Sequence, residues 1–184
     1  MALIVARMSS AERYKGHDAL LEIWPHVLAR HPEAVLAVAG DGDDRERLEL
    51  KARELGVHGA VTFAGRVGDS ALAGLYARCR FFVMPSRDEG FGFVFVEAMR
   101  AGRACVGSHG AASEIIDDGV SGLLVDPDDR AGLASAVVRL LGDPAEAGRM
   151  GACGRARYLQ RFTADRFRDR FLALVGADAG AFAR

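Results

Sequence analysis

The sequence of 184 residues has no excess of charge of either sign. Lys and Arg together number 24 and Asp and Glu 25, which gives a net charge of −1 with neutral histidines. A protein that binds nucleic acid or an anionic membrane surface through charge would carry a basic excess or a polybasic segment. We therefore expect no nucleic-acid partner.

Cysteine is scarce and long apolar runs are missing. The three cysteines, Cys79, Cys105 and Cys153, are odd in number and widely spaced, which argues against a disulfide framework or a zinc site. The histidines also lack metal-ligand spacing. No apolar run approaches the ~20 residues of a membrane span, and the apolar start at residues 1–6 is too short for a signal peptide. These features predict a cytoplasmic protein without a metal site.

Short apolar segments alternate with amphipathic helical patterns along the chain. Each segment is nearly all apolar and ends in glycine, proline, serine or a charge, which is typical of strands buried on both faces of a parallel sheet. The predicted strands are Leu3–Ala6, Val35–Ala39, Ala60–Phe63, Phe81–Met84, Ala104–Gly107 and Gly122–Val125. Between them, apolar residues recur with helical spacing, as at Leu72, Leu75, Tyr76 and Cys79, with Asp69 as the expected N-cap.

This alternation predicts an α/β fold with a doubly wound, Rossmann-like parallel sheet, which binds ligands at the carboxyl ends of its strands. We expect one domain over residues 1–184, with the core at about 1–142 and a helical tail at about 143–184. Asp143, Pro144 and Glu146 have the order of an N-cap, a first-turn proline and an N3 acid.

The spacing of apolar residues in the tail predicts a helix with one apolar face, with Thr163 as its N-cap. Its apolar residues are Phe162, Phe167, Phe171, Leu172 and Val175. One interpretation is a helix that covers the domain. The other is a surface that also contacts a further domain.

A glycine-rich loop between two acids follows the strand Phe81–Met84. Gly90 and Gly92 allow the backbone to approach a ligand, and a helix is predicted from Phe93 or Val94 to about Ala101. The N-terminus of that helix suits a phosphate. Glu89 and Glu97 can accept hydrogen bonds from hydroxyl pairs. On spacing alone, turn-forming glycines beside two solvated acids remain the alternative.

The segment PSRDEGFGFVFVEAMRAGRACVGS around this loop resembles the nucleotide-sugar signature of the retaining GT-B glycosyltransferases, in particular family 4, the "glycosyl transferases group 1". Other segments resemble the same family in the same order. They are residues 5–7, Tyr14-Lys15-Gly16-His17, Ala39-Gly40-Asp41-Gly42, residues 61–65, residues 75–79 and residues 114–125. The resemblance spans nearly the whole chain and implies the C-terminal half of a GT-B fold.

The resemblance implies roles for the charged residues. Arg7 and Lys15 would hold the donor diphosphate and stabilise its charge as the sugar–phosphate bond breaks. Taken singly, each could also be a solvated surface cation. Glu89 would bind the donor sugar beside the reacting carbon, and Glu97 the ribose. Arg7, Lys15 and Glu89 are therefore the expected catalytic residues.

The resemblance also implies backbone contacts in the donor site. Amides of Gly90, Phe91 and Gly92 would hold the sugar, and amides near Phe93 and Val94 would face the phosphate. The base would lie by Gly65 and Arg66, with Gly40 allowing close approach. His109 departs from the family's usual paired glycines, and Asp88 adds an acid beside Glu89. We expect both to be bystanders.

The activity implied is metal-independent transfer of a hexose, with retention of configuration, from a UDP-, GDP- or ADP-linked nucleotide sugar to a glycan or glycolipid in polysaccharide biosynthesis, with no further cofactor. The chain begins at the strand that opens the second half of such enzymes. We therefore expect the N-terminal acceptor domain, and any membrane contact it makes, to be missing. The isolated domain should bind donor weakly and transfer sugar poorly or not at all.

Other functions remain alternatives. A noncatalytic nucleotide-binding or assembly module would share the fold. A phosphorylase or a sucrose-synthase-like enzyme would carry an extra domain or a pyridoxal-binding lysine, and neither is evident. A dinucleotide oxidoreductase is disfavoured because Arg7-Met8-Ser9-Ser10, and no G-x-G-x-x-G motif, follows the first strand.

Overall fold

The computed structural model describes residues 1–110 and 112–179. A single six-stranded sheet runs through this part of the chain, and every strand pairs in parallel with its neighbours in the order β3-β2-β1-β4-β5-β6. The strands are β1 Ala2–Val5, β2 Leu36–Ala39, β3 Val61–Gly65, β4 Phe81–Met84, β5 Ala104–Ser108 and β6 Gly122–Val125. The predicted Rossmann-like α/β fold is confirmed.

All six predicted strands form. β4 and β6 have the predicted ends, and the ends of the other four shift by one or two residues. The largest difference is at β3, which starts at Val61 because Ala60 closes a 3-10 turn over His58–Ala60. This strand also extends to Gly65, which lies opposite Ala39 after a register shift between Val38 and Ala39. The central strands are apolar because both faces are covered, and all four residues of β4 are buried.

Helices connect and flank the strands. They are α1 His17–Arg30, α2 Arg45–Glu54, α3 Asp69–Arg78, α4 Phe93–Arg100, α5 Arg130–Gly142, α6 Pro144–Arg161 and α7 Ala164–Ala179. Trp24, Phe81, Phe82 and Phe95 are fully buried where helices meet the sheet. One apolar core therefore joins α1, β4 and α4.

The predicted N-cap forms at the start of α6 but not at the start of α3. The Asp143 carboxylate accepts a hydrogen bond from the Glu146 N–H at 2.8 Å, and Pro144 opens α6, as predicted. The prediction of Asp69 as an N-cap is wrong. Gly68 occupies the cap position and Asp69 is the first helical residue, where its charge still favours the helix dipole.

The two tail helices behave differently. α6 packs against α4 and β5, and a Cβ at Gly151 would lie 2.2 Å from the Gly102 carbonyl oxygen, so the helix needs this glycine to lie so close. In α7, by contrast, Phe167 is 67% exposed, Phe171 54% and Leu172 59%. The interpretation of the tail as a cover holds for α6 and is wrong for α7. None of the described helices is long and apolar enough to span a membrane.

The strand order reverses between β1 and β4, which lie side by side at the centre of the sheet. From β1 the chain moves on to β2 on one side, and from β4 it moves on to β5 on the other. The loops that leave the carboxyl ends of two such strands diverge and open a crevice between them, which is the usual ligand position in doubly wound sheets. The loop after β1 carries Arg7 and Lys15, and the loop after β4 carries Glu89.

Candidate functional site

Lys15 and Glu89 meet in the crevice, although they are 74 positions apart in the sequence. The Lys15 Nζ donates to the Glu89 Oε1 at 2.7 Å, and the two side chains are 18% and 8% exposed. Within the described residues, the second carboxylate oxygen of Glu89 receives no hydrogen bond, so it can accept one from a ligand. The structure therefore brings together a cation and an acid that the sequence predicted for one site.

Backbone packing between the two loops fixes this pair. The Arg87 N–H donates to the Tyr14 carbonyl oxygen at 3.0 Å. Gly16 lies against Pro85, and because its φ is +91° and a Cβ there would lie 2.7 Å from the Pro85 Cγ, no other residue type fits well. Lys15 sits between these two contacts, which holds its backbone beside the loop that carries Glu89.

Arg7 has a different partner. Its guanidinium forms two hydrogen bonds of 2.8 Å with both oxygens of Glu12, and the side chain is 71% exposed. The hydrogen bonds and charge of Glu12 raise the pKa of Arg7 above its usual value. Arg7 is thus on the correct strand end, but Glu12 holds it. Glu12 was not among the predicted site residues, although its position five residues after Arg7 could have suggested the pair.

Glu97 lies on α4, and its hydrogen-bond partner, Tyr76, was not predicted to be a functional residue. The Tyr76 hydroxyl on α3 donates to the Glu97 Oε2 at 3.0 Å and also lies 3.3 Å from the Val94 carbonyl oxygen. Burial raises the pKa of the Tyr76 phenol, and the Glu97 carboxylate raises it further. The phenol therefore keeps its proton and acts as a donor. Tyr76 was assigned only to the apolar face of α3.

The two glycines of the loop after β4 differ in what the fold requires. Gly92 has φ +81°, and a Cβ there would lie 2.9 Å from the Phe95 ring, so α4 begins correctly only with glycine. A Cβ at Gly90 would meet no atom within 4 Å, and Gly90 is exposed. The protein itself thus gives no steric reason for glycine at position 90, which leaves that backbone open to a ligand.

Aromatic side chains border this loop. Phe91 is 43% and Phe93 70% exposed, with their ring centroids 4.8 Å apart, while Val94 is half-buried. The backbone N–H groups of Phe93 and Val94 belong to the first turn of α4, where helical N–H groups lack partners within the helix. The helix dipole adds partial positive charge at this end.

The predicted base-side residues lie at the ends of β2 and β3. The Gly40 N–H donates to the Gly65 carbonyl oxygen at 2.9 Å, which joins the two strand ends, and Arg66 is exposed beside them. Gly40 has φ +136° and a Cβ there would lie 2.0 Å from the Ala6 carbonyl oxygen. The close approach of Ala6, the residue after β1, therefore explains glycine at position 40, whether or not a base also binds there.

His109 and Asp88 are both exposed at the same edge of the sheet. The His109 backbone N–H donates to the Val125 carbonyl oxygen at 3.0 Å, which extends the β5–β6 pairing. Among residues 1–110 and 112–179, no three histidine, cysteine, aspartate or glutamate side chains gather in a metal-binding arrangement. The expectation of a metal-independent site stays a prediction.

Solved structures with the same fold identify the class of protein. A sucrose-phosphate synthase from Thermosynechococcus elongatus superimposes with a TM-score of 0.84 at 29% identity, over 98% of this chain and 46% of that chain. An Anabaena protein solved in complex with UDP and glucose gives a TM-score of 0.83 at 23% identity, over 96% of this chain and 48% of that chain. The fold is that of the GT-B glycosyltransferases.

Sequence comparisons identify the family. The family model described as "Glycosyl transferases group 1" matches residues 1–143. A GDP-mannose-dependent alpha-(1-6)-phosphatidylinositol monomannoside mannosyltransferase from Mycolicibacterium smegmatis is 35% identical over 160 residues, which cover 83% of this chain and 42% of that protein. A glycogen synthase from Mycobacterium tuberculosis is 38% identical over 156 residues, which cover 84% of this chain and 36% of that protein. The chain belongs to the group 1 glycosyltransferase family, and it spans less than half the length of these relatives.

Proposed function

We propose that this chain is the nucleotide-sugar donor-binding domain of a retaining glycosyltransferase that transfers a hexose to a glycan or glycolipid acceptor without a metal ion. The observation that carries the proposal is the 2.7 Å Lys15–Glu89 pair at the point where the strand order of the sheet reverses. Paired charges at this position in a doubly wound sheet favour a ligand that carries both hydroxyl groups and negative charge.

The diphosphate would lie between Lys15, Arg7 and the first turn of α4. When the bond between the anomeric carbon and the phosphate oxygen breaks, negative charge develops on the diphosphate, and fixed cations and helix N–H groups stabilise it. Arg7 is exposed, and Glu12 is its one side-chain partner within residues 1–110 and 112–179, so its guanidinium can exchange the carboxylate for a phosphate at the surface. The diphosphate would then accept the proton from the attacking acceptor hydroxyl.

The sugar and ribose would lie on either side of the diphosphate. Glu89 keeps one oxygen free for a sugar hydroxyl, and the open backbone at Gly90, continuing through Phe91 and Gly92, would supply N–H groups to the same sugar. Glu97, one helical turn inside α4, would accept from the ribose hydroxyls, with the base near Gly65 and Arg66. Relatives whose names specify GDP-mannose and a neighbour solved with UDP support a nucleoside diphosphate donor, and we keep UDP-, GDP- and ADP-linked sugars as candidates.

Catalysis would need a second half that binds the acceptor. The greater length of the relatives supports this proposal, as does the fit to the C-terminal domain of a group 1 glycosyl transferase from Francisella tularensis. That domain has a TM-score of 0.78 at 24% identity, over 89% of this chain and 86% of that chain. The exposed apolar face of α7 would pack on the acceptor half. Alone, residues 1–184 would form one cytoplasmic domain with little or no transferase activity.

Calorimetry with UDP, GDP and ADP, with their glucose or mannose conjugates, and with uridine, guanosine and adenosine tests the proposal. We expect nucleotides of one base to bind. Arg7→Ala should weaken binding of the diphosphate more than binding of the nucleoside, and Glu97→Gln should weaken binding of both. Arg66 is the matched exposed arginine on the base side, and Arg66→Ala should not distinguish diphosphate from nucleoside. A folded chain that binds none of the diphosphates and none of their sugar conjugates would refute the donor-site proposal. Nucleotide binding with no effect of either first substitution would favour the noncatalytic module instead.

A further inference from the structure

The buried side chain of Tyr76 connects α3 to α4 through its hydroxyl group. It lies on α3, 21 positions before Glu97, and is 4% exposed. Its ring packs against Phe82 of β4, with centroids 6.0 Å apart, so the core fixes where the hydroxyl points. That hydroxyl lies 3.0 Å from the Glu97 Oε2 and 3.3 Å from the Val94 carbonyl oxygen.

The phenol has one proton for these two acceptors. A hydrogen bond to an ionised carboxylate is shorter and stronger than one to a neutral carbonyl, and the distance to Glu97 is the shorter of the two. Within the part of the chain that the structure describes, Glu97 forms no salt bridge, and the Tyr76 hydroxyl is the hydrogen-bond donor to its side chain. The orientation of the carboxylate therefore depends on Tyr76.

We propose that Tyr76 is a positioning residue that holds the Glu97 carboxylate ready to accept the ribose hydroxyls. The inference rests on the proposed function and adds a residue that never touches the ligand. A glutamate side chain loses rotamer freedom when it is ordered, and a buried donor that orders it before the ligand arrives removes this cost from binding. The benefit is specific to a ligand with hydroxyls at the ribose 2′ and 3′ positions, because only these groups use the carboxylate.

The test compares a ribonucleotide with its 2′,3′-dideoxy analogue. Tyr76→Phe removes the hydroxyl and keeps the buried ring. We expect it to weaken binding of UDP, or of whichever of UDP, GDP and ADP binds, about tenfold. Binding of the dideoxy analogue should stay the same, so the preference for the ribonucleotide falls. Tyr158→Phe, a half-buried tyrosine on α6, is the matched control and should change neither affinity.

A double-mutant cycle tests whether Tyr76 acts through Glu97. In a Glu97→Ala background, Tyr76→Phe should no longer change the affinity for the ribonucleotide. Equal weakening of both nucleotides by Tyr76→Phe, or no weakening of either, would overturn the inference while leaving the donor site intact. A wild-type chain that is folded and binds none of the three diphosphates would instead overturn the proposed function, and the inference with it.

A measurement on the native hydroxyl covers the case in which Tyr76→Phe does not fold. The chain has three tyrosines, so incorporation of 3-fluorotyrosine gives three ¹⁹F resonances, and Tyr14→Phe and Tyr158→Phe assign the one from Tyr76 by elimination. We expect the Tyr76 resonance to shift with the ribonucleotide and to shift less with the dideoxy analogue. Equal shifts, or none, would overturn the inference.

Discussion

Lys15→Met should separate the contribution of the Lys15–Glu89 pair to stability from its contribution to ligand binding. Exposed ion pairs contribute about 0.2–1 kcal/mol, and breaking a buried pair costs about 3–5 kcal/mol. With side chains 18% and 8% exposed, this pair lies between the two cases. We expect Lys15→Met to lower the free energy of unfolding by about 1–3 kcal/mol, because it leaves the more buried partner, Glu89, without its cation.

The same substitution should weaken binding of the nucleoside diphosphate at least about tenfold, since a charge-assisted hydrogen bond to phosphate is lost. Urea unfolding measures the first effect and calorimetry the second. Glu89→Gln should cost less stability than Lys15→Met, because a glutamine oxygen still accepts from Lys15. In the double variant Lys15→Met/Glu89→Gln, the loss of stability should be smaller than the sum of the single losses.

Lys51→Met is the matched control. Lys51 lies on α2, is 22% exposed and forms ion pairs with Asp18 and Glu22, so it matches Lys15 in exposure and charge. Lys51→Met should cost less stability than Lys15→Met, because Asp18 keeps its pair with Arg47 and Glu22 its pair with Arg130. It should leave the affinity for the nucleotide unchanged. If Lys15→Met leaves both the free energy of unfolding and the affinity at wild-type values, then the pair contributes neither to stability nor to nucleotide binding.

Two further predictions concern other parts of the chain. Burial lowers the pKa of His17 from 6.5 to about 4, so the folded state binds fewer protons than the unfolded state between these values, and the free energy of unfolding should fall as the pH drops from 6.5 to 4. In His17→Gln, urea unfolding across that range should show a smaller fall, and an unchanged fall would exclude His17 as its source. Phe171→Ala on α7, at 54% exposure, should change the stability of the chain by no more than about 0.5 kcal/mol. Phe95 is fully buried, so Phe95→Ala should lower the free energy of unfolding by about 3–5 kcal/mol. A comparable loss of stability in Phe171→Ala would mean that α7 packs on the core.

The elements that the sequence predicted best are those in which one local pattern dominates. The strand at residues 81–84 was found with its ends correct because both of its faces are buried and its residues are therefore all apolar. The start of α6 was found because Asp143 and Pro144 act within one helical turn. The prediction of Asp69 as an N-cap was wrong for a related reason. An acidic residue is favoured almost equally at the N-cap and in the first turn, so the local sequence does not distinguish the two positions.

Contacts between distant segments were harder to predict. Tyr76 fits the apolar face of α3, and nothing in its neighbours indicates that its hydroxyl reaches a carboxylate 21 positions later. Glu12 is nearer in sequence to its partner, yet its bond to Arg7 depends on the 3-10 turn at Ser10–Lys15. The exposure of α7 was equally difficult to predict, because an amphipathic helix has the same sequence pattern whether or not its apolar face is covered.

The sequence by itself determined the Rossmann-like class of the fold, the family, and the two acids that border the glycine loop. It could do so because burial on both faces of a sheet and the turn after β4 are set by residues close together in the chain. Only the tertiary structure decided that Lys15 meets Glu89, that Glu12 holds Arg7, and that Tyr76 supports Glu97. These pairs depend on β1 and β4 lying side by side and on the Tyr76 side chain reaching from α3 to α4. Such neighbours are fixed by the order of strands in the whole sheet.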